Sequence, residues 1–346
     1  MTRLARFLQR QKPWRRARWA RAIFRTPLLA AARRAAQRDG GTTVLTYHAI
    51  GDPDFMPHWL FVDPQDFDRH LAYLKAHYTS VSPHEVLGRL RSGAPLPANG
   101  IAVTIDDGYR NAHSHAVPLL FRHGLWATVF ACTRPADTGA SLWVTRVFYW
   151  CSITQADTLW IGPGSQLPEV RTRLPEETAL PLRTRAERQR AAFWVVSAMR
   201  RPGTREDLLD RVAAALGVSQ HADPSALLPM LSWGEIEDLD RQGIEIGGHT
   251  VSHWSLPSLS RRAAWEETVK CKAALESHLG KTVPVFAYPF GDRDAAVERL
   301  VREAGYMGAL TMADGTQRGF TCPYGLHRKS LGNWPVELLA LELAGL

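Results

Sequence analysis

The chain has 346 residues, 45% hydrophobic and 22% charged, the composition of an ordinary globular protein long enough to bury a substantial core. Its net charge of +8 is unevenly placed: residues 1–39 hold 12 Arg or Lys and one acid, leaving 30 basic against 33 acidic residues elsewhere. No stretch approaches the roughly 18 to 20 apolar residues of a membrane span, and outside the basic arm no basic stripe or motif points to nucleic acid.

The N-terminal arm, residues 1–40, alternates cations such as Arg3, Arg6, Arg10, Lys12 and Arg15 with Phe7, Trp14, Trp19, Ile23 and Phe24. A secretory leader needs about 7 to 15 unbroken apolar residues, and Thr26 to Ala32 is too short and weak. Two readings stand: a helix lying on an anionic membrane surface, or a disordered tail. The four cysteines, Cys132, Cys151, Cys271 and Cys322, are widely spaced and form no CxxC pair. Free thiols in a reducing compartment follow, with a cytoplasmic location, peripheral at the inner membrane face if the arm binds lipid.

After the arm, strand and helix patterns alternate. Thr42 to Tyr47 is a short β-branched run ending at His48, and Phe67 to Ala76 has helical spacing. Ile101 to Ile105 reads as a buried strand, Ala112 to Arg122 as a helix, and Trp126 to Ala131 as a strand. From about 133 to 231 the rhythm breaks into Pro-rich turns, an Arg- and Glu-rich segment from Arg171 to Arg190, and helices near Ala186 to Met199 and Arg205 to Leu216. This is an insertion between sheet units, either a cap over the active face or a spacer; long insertions in compact domains favour the cap. Its Trp143, Phe148, Tyr149, Trp150 and Trp160 suit sugar stacking or the insertion's own core. Ser232-Trp233-Gly234-Glu235 has capping-box form and opens a helix through Arg241, with Gly243 ending it. Strand Ile244 to Ile246, helix Ala263 to Leu279, strand Val283 to Ala287, helix Ala295 to Ala304 and strand Tyr306 to Thr311 complete the series. Such alternation predicts an α/β fold with a parallel sheet, open or closed into a barrel.

Three short runs sit at predicted strand C-termini, where such folds gather functional groups: Asp106-Asp107-Gly108, His249-Thr250-Val251-Ser252-His253 and Tyr288-Pro289-Phe290-Gly291. Two imidazoles and a carboxylate suit a borderline divalent ion, most simply zinc, with a coordination position left open. The second aspartate is then free to act on water. Taken singly each run is weak, because 13 histidines give an HxxxH spacing by chance about half the time and Asp-Asp-Gly is a common turn. Their joint placement at strand ends raises the odds.

Val103-Thr104-Ile105-Asp106-Asp107-Gly108-Tyr109 resembles the first motif of polysaccharide deacetylases (carbohydrate esterase family 4, the NodB-homology domain), and His249 to His253 resembles their H-[ST]-x-x-H motif, in the right order. Leu45-Thr46-Tyr47-His48, Gly124 to Phe130, Gly243 to Gly247 and Ala304-Gly305-Tyr306 are similar to flanking segments of the family. The resemblance spans roughly 42 to 330, without the insertion. It implies a distorted (β/α) barrel over residues 41–346 with a mainly helical insertion. It also implies Asp107, His249 and His253 as metal ligands, Asp106 as general base and His327 as general acid. The backbone N–H of Phe290 would face the oxyanion, with Tyr288 and His48 lining the substrate site.

Two departures stand out. Many members carry arginine two residues before the proline of the third motif, where this chain has Ala287; Arg328 is a candidate replacement partner for Asp106. The context Leu326-His327-Arg328-Lys329 also differs from the usual acid motif, and His48 is a second candidate to reach the site. The resemblance implies a hydrolase that releases an acetyl or other acyl group from an amino sugar in a polysaccharide or glycan precursor; the basic, aromatic arm and the lack of a clear leader point to a lipid-linked or nucleotide-linked precursor at the inner membrane face. Three alternatives remain: a carbohydrate-binding relative without turnover, a hydrolase of a small non-sugar amide, and an interaction protein acting through the arm.

Overall fold

A computed structural model of the chain describes residues 13–38, 40–51, 53–161, 167, 178–200, 206–317 and 322–346. The arm residues Arg3, Arg6, Phe7, Arg10 and Lys12, Arg205, and most of the 171–190 segment's first half lie outside them. Two helices, α1 (Pro13–Phe24) and α2 (Pro27–Arg38), occupy the rest of the arm. They are docked, because Ala20, Ile23 and Leu29 are buried in the main core. Their outward face keeps Arg18, Arg21, Arg25, Arg34 and Arg38 exposed with Trp19 and Leu28. No helix among the described residues is long and apolar enough to cross a membrane.

The barrel begins at β1 (Thr42–Tyr47), buried on both faces as a parallel strand covered by helices should be. Helix α3 (Pro64–His77) follows, its first turn capped by Asp63 Oδ1 accepting from the Gln65 N–H at 2.8 Å, with Pro64 at the first helical position. Helix α4 (Pro83–Ser92) is capped by Ser82 and closed by Gly93 at φ 72°. Strand β2 (Gly100–Ile105) runs parallel to β1 in full register. The helix expected from Ala112 starts late: Ala112–Ala116 is a wider π turn, and α5 covers only Val117–His123. Pro118 has no N–H to give to the carbonyl four residues back, so the ladder slips and the Val117 N–H bonds Ala112.

After β3 (Ala127–Ala131) the insertion begins with a short helix, Thr133–Thr138, then α6 (Trp143–Ile153) and the antiparallel hairpin β4 (Thr158–Ile161) with β5 (Thr178–Pro181). Helices α7 (Arg185–Met199) and α8 (Glu206–Ala215) complete it. These elements pack around a second core that also takes in Ala49, Phe61, Tyr109 and Trp254 of the barrel side, with Val147, Trp150, Val195 and Val212 fully buried. Trp150 is therefore core, whereas Trp160 stands 60% exposed on the hairpin.

The chain returns through α9 (Trp233–Arg241), whose Ser232 and Glu235 make both halves of the expected capping box. Strand β6 (Glu245–Gly248) extends two residues beyond the expected end, through Gly247 and Gly248, because Phe130 and Tyr306 close over the glycines and leave no room for side chains. Helix α10 (Arg261–Leu279), β7 (Val285–Ala287), α11 (Ala295–Glu303), β8 (Gly308–Leu310) and α12 (Val336–Leu343) finish the fold.

The strand order β8-β7-β6-β3-β2-β1 is parallel throughout, the consequence of each strand returning through a crossover. At the edge of β1, Thr316–Gln317 adds an antiparallel pair. The segment after residue 322 joins the two edges: Leu326 pairs with Leu310 of β8, and Lys329–Ser330 pair with Leu45–Thr46 of β1. The result is a curled, mixed sheet forming a distorted barrel. Val44, Ala102, Phe130, Val285, Ala287 and Leu326 point into it, while Leu45, Tyr47, Ile105, Phe286 and Tyr288 face the surrounding helices.

Candidate active site

The three motifs meet where β2, β6 and β7 end. Asp106 follows β2, its N–H tied to Tyr47 O at 2.9 Å, and its side chain turns into the barrel, 2% exposed. Arg328 reaches it from the edge-joining segment, Nη1 donating to Asp106 Oδ1 at 2.8 Å. The guanidinium is wholly buried, also donating to Thr311 O at 3.2 Å and lying against Phe130. Burial pushes the Asp106 carboxyl up, but Arg328, with the nearby His249 and His48, outweighs it and leaves the group below its ordinary range. Asp106 is thus ionised at neutral pH. The barrel lacks an arginine at Ala287 and receives one from the other side.

Asp107, His249 and His253 converge. One potential ligand atom from each lies within 4.8 Å of the others, and all three residues are buried. His249 Nδ1 donates to Ala287 O at 2.7 Å, which fixes the tautomer and leaves Nε2 unprotonated toward Asp107. The Nε2 atoms of His249 and His253 stand 3.5 and 3.1 Å from Asp107 Oδ1, an oxygen without a hydrogen bond inside the protein. Buried acceptors facing one another at that range fit a cation between them. Burial raises the Asp107 carboxyl, yet the histidines pull it well below the usual range; burial keeps His253 neutral. A carboxylate and neutral imidazoles are the states that bind a divalent ion.

The backbone here is strained. The non-glycine residues at positive φ among the described residues are Asp107 (76°), Thr250 (69°), His253 (63°) and Phe290 (59°), all in this site. Each such conformation costs of order 1–3 kcal/mol and persists only where the surroundings impose it. At His253 they do: its N–H bonds Thr250 Oγ1 at 2.9 Å, and Trp143 Nε1 donates to its carbonyl at 3.0 Å. Phe290 is set by the Pro289–Gly291 turn, where Gly291 (φ 72°) lies so close to the Met312 backbone that a side chain would collide. The Phe290 N–H makes no hydrogen bond among the described residues.

The structure brings His48 and Phe290 to the same pocket as Asp106 and the triad. His48 Nδ1 is buried there without a partner. It does not bring Tyr288 or His327. Tyr288 alternates with Ala287 and so faces the helix layer, its hydroxyl donating to Tyr324 O at 3.1 Å. His327 alternates with Arg328; the arginine enters the barrel, and the imidazole, half-buried, packs on Gly315 instead. Sequence reasoning overlooked Trp143 as a support for His253. It also missed the pocket wall, made by Val144 and Phe148 of α6 and Phe193 and Val196 of α7. The insertion therefore contributes side chains to the wall of this pocket. No sequence signal pairs those helices with this pocket, because their apolar positions read equally well as core.

Residues 185–309 match a family model described as Polysaccharide deacetylase. The YxkH protein of Bacillus subtilis (strain 168), named by inference as a polysaccharide deacetylase, is 28% identical over 88 residues, 25% of this chain and 30% of that protein. The match thus spans about a third of that relative's length. Among solved structures, the Streptococcus pyogenes deacetylase PplD, in complex with acetate, superposes with a TM-score of 0.56 at 17% identity, over 86% of this chain and 96% of that one. IcaB from Ammonifex degensii does so at 0.55 and 18% identity, over 89% and 98%. Fold and motif order define an α/β barrel of the polysaccharide deacetylase type. The match to the family model covers residues 185–309, and the two solved structures share their fold with this chain. The Asp106-Asp107 pair precedes the residues that the family model matches, so its place in the site rests on the geometry above.

Proposed function

We propose that the protein is a metal-dependent deacetylase that hydrolyses the N-acetyl amide of an amino sugar in a glycan or glycan precursor. The observation that carries this reading is the juxtaposition of the buried Asp107, His249 and His253 with Asp106, a separate carboxylate held ionised by Arg328. Asp107, His249 and His253 would hold a divalent ion, which would supply Lewis acidity at the site. Asp106 accepts the proton of that water as its oxygen bonds the carbonyl carbon. The free N–H of Phe290 is available to the developing oxyanion. Breaking the C–N bond then requires a proton on the nitrogen. His48, with an unpartnered ring nitrogen beside Asp106 and Asp107, is the group that gives it, and acetate and free amine leave.

The test is acetate release from N-acetylated amino sugars with divalent metal supplied. Asp106→Asn, compared with wild type at a temperature where circular dichroism shows both folded, is expected to lower kcat by about 10²–10⁴, the range for loss of a general base. Equal rates in the two proteins would refute the role given to Asp106.

A further inference from the structure

We propose that the pocket beside Asp106 binds an alkyl chain carried by an N-acylated amino sugar, so that the substrate is amphiphilic rather than a bare polysaccharide. The proposal rests on the deacetylase reading and names the substrate class of that site. The cavity measures about 230 Å³. That is below the roughly 300–1,000 Å³ that encloses a drug-sized ligand.

Its lining is largely apolar, with Val144 and Phe148 of α6, Phe193 and Val196 of α7, and Trp59 and Leu60. Beyond the catalytic groups the lining offers Ser197, Arg200 and Ser330 as polar contacts. Arg200 is already committed, its Nε and Nη2 bonding Asp292 at 2.9 and 2.5 Å while the guanidinium lies over Phe290. A sugar ring turned into this wall would leave hydroxyls without partners, an arrangement that selects against polysaccharide.

The mouth points the same way. Phe193 and Trp59 are 47% and 38% exposed, with rings 6.1 Å apart and edge to face. Phe148, Val144 and Val196 of the same lining are nearly buried, so the pocket joins exposed aromatic rings to buried apolar side chains and the catalytic groups. Each methylene a ligand buried along that path would add roughly fourfold to affinity. The alkyl chain has two chemical sources, the acyl group itself or the aglycone of the sugar.

Four substrates separate these: N-acetylglucosamine, octyl N-acetylglucosaminide, N-octanoylglucosamine and chitotetraose. The expected result is a kcat/KM at least tenfold higher for one octyl compound than for either unalkylated substrate, and the preferred compound identifies the source. Phe193→Ser, at an exposed position that folding tolerates, reduces that preference to within about twofold through KM, and Phe193→Leu restores it. Octyl compounds no better than N-acetylglucosamine, or a preference for chitotetraose, would overturn the proposal. Calorimetric binding to Asp106→Asn separates the two claims. Tighter binding of an octyl compound without turnover by the wild type keeps the alkyl site and removes the deacetylase reading; turnover without any alkyl preference does the reverse.

Discussion

Asp106 and Arg328 form a buried ion pair in which each partner makes the other tolerable. Removing one member of such a pair leaves an uncompensated buried charge and costs about 3–5 kcal/mol. Arg328→Met is therefore expected to lower the melting temperature markedly and to reduce kcat at least tenfold, with KM little changed, because Asp106 loses both its orientation and the charge that keeps it ionised. His327→Ala is expected to change kcat less than twofold, since the ring rests on Gly315. Steady-state kinetics and thermal melts of the two variants decide; a tenfold loss in His327→Ala would restore His327 as the acid. The sequence brings both residues into view as neighbours in one run. Only the strand alternation of that run, which depends on pairing with β8 and β1, determines which of them enters the barrel.

At the scale of elements, His70 of α3 holds three pieces together. Its Nδ1 meets the Tyr47 hydroxyl of β1 at 3.1 Å, and its Nε2 meets Trp334 O, just before α12, at 2.9 Å. Burial lowers its pKa to about 4 despite the favourable contact with the Trp334 carbonyl. The unfolded chain, with a pKa near 6.5, binds the proton more readily than the fold does. Stability from this group is therefore complete above about pH 6.5 and drains away as pH falls toward 4, by on the order of 3 kcal/mol. Urea unfolding of wild type and His70→Asn across that window is the check: the stability gap between them narrows on acidification, and a constant gap would contradict the assignment. Most elements were legible for local reasons, such as the Ser232 capping box and the glycine after α9. The π turn at Ala112 was less so, because the helical spacing of its apolar residues masked the effect of Pro118 on the ladder.

Across the whole molecule, the parallel barrel and the three converging motifs follow from patterns within single segments, and these were readable. The closure of the barrel by residues 326–330, the docking of α1 and α2 on the core, and the wall that α6 and α7 build over the site all depend on contacts between distant segments. No periodicity encodes them. They also give the site its own character: Arg328 arrives through the closing segment, and Trp143 of the insertion braces the strained His253.

The central claim is that one divalent ion sits among Asp107, His249 and His253 with Asp106 left free beside it. Metal analysis of purified, dialysed protein after loading tests it most directly, with wild type, Asp107→Asn and Asp106→Asn side by side. The account predicts one ion per chain in the wild type and in Asp106→Asn, and its loss in Asp107→Asn. Full occupancy in Asp107→Asn, or none in the wild type, would contradict it.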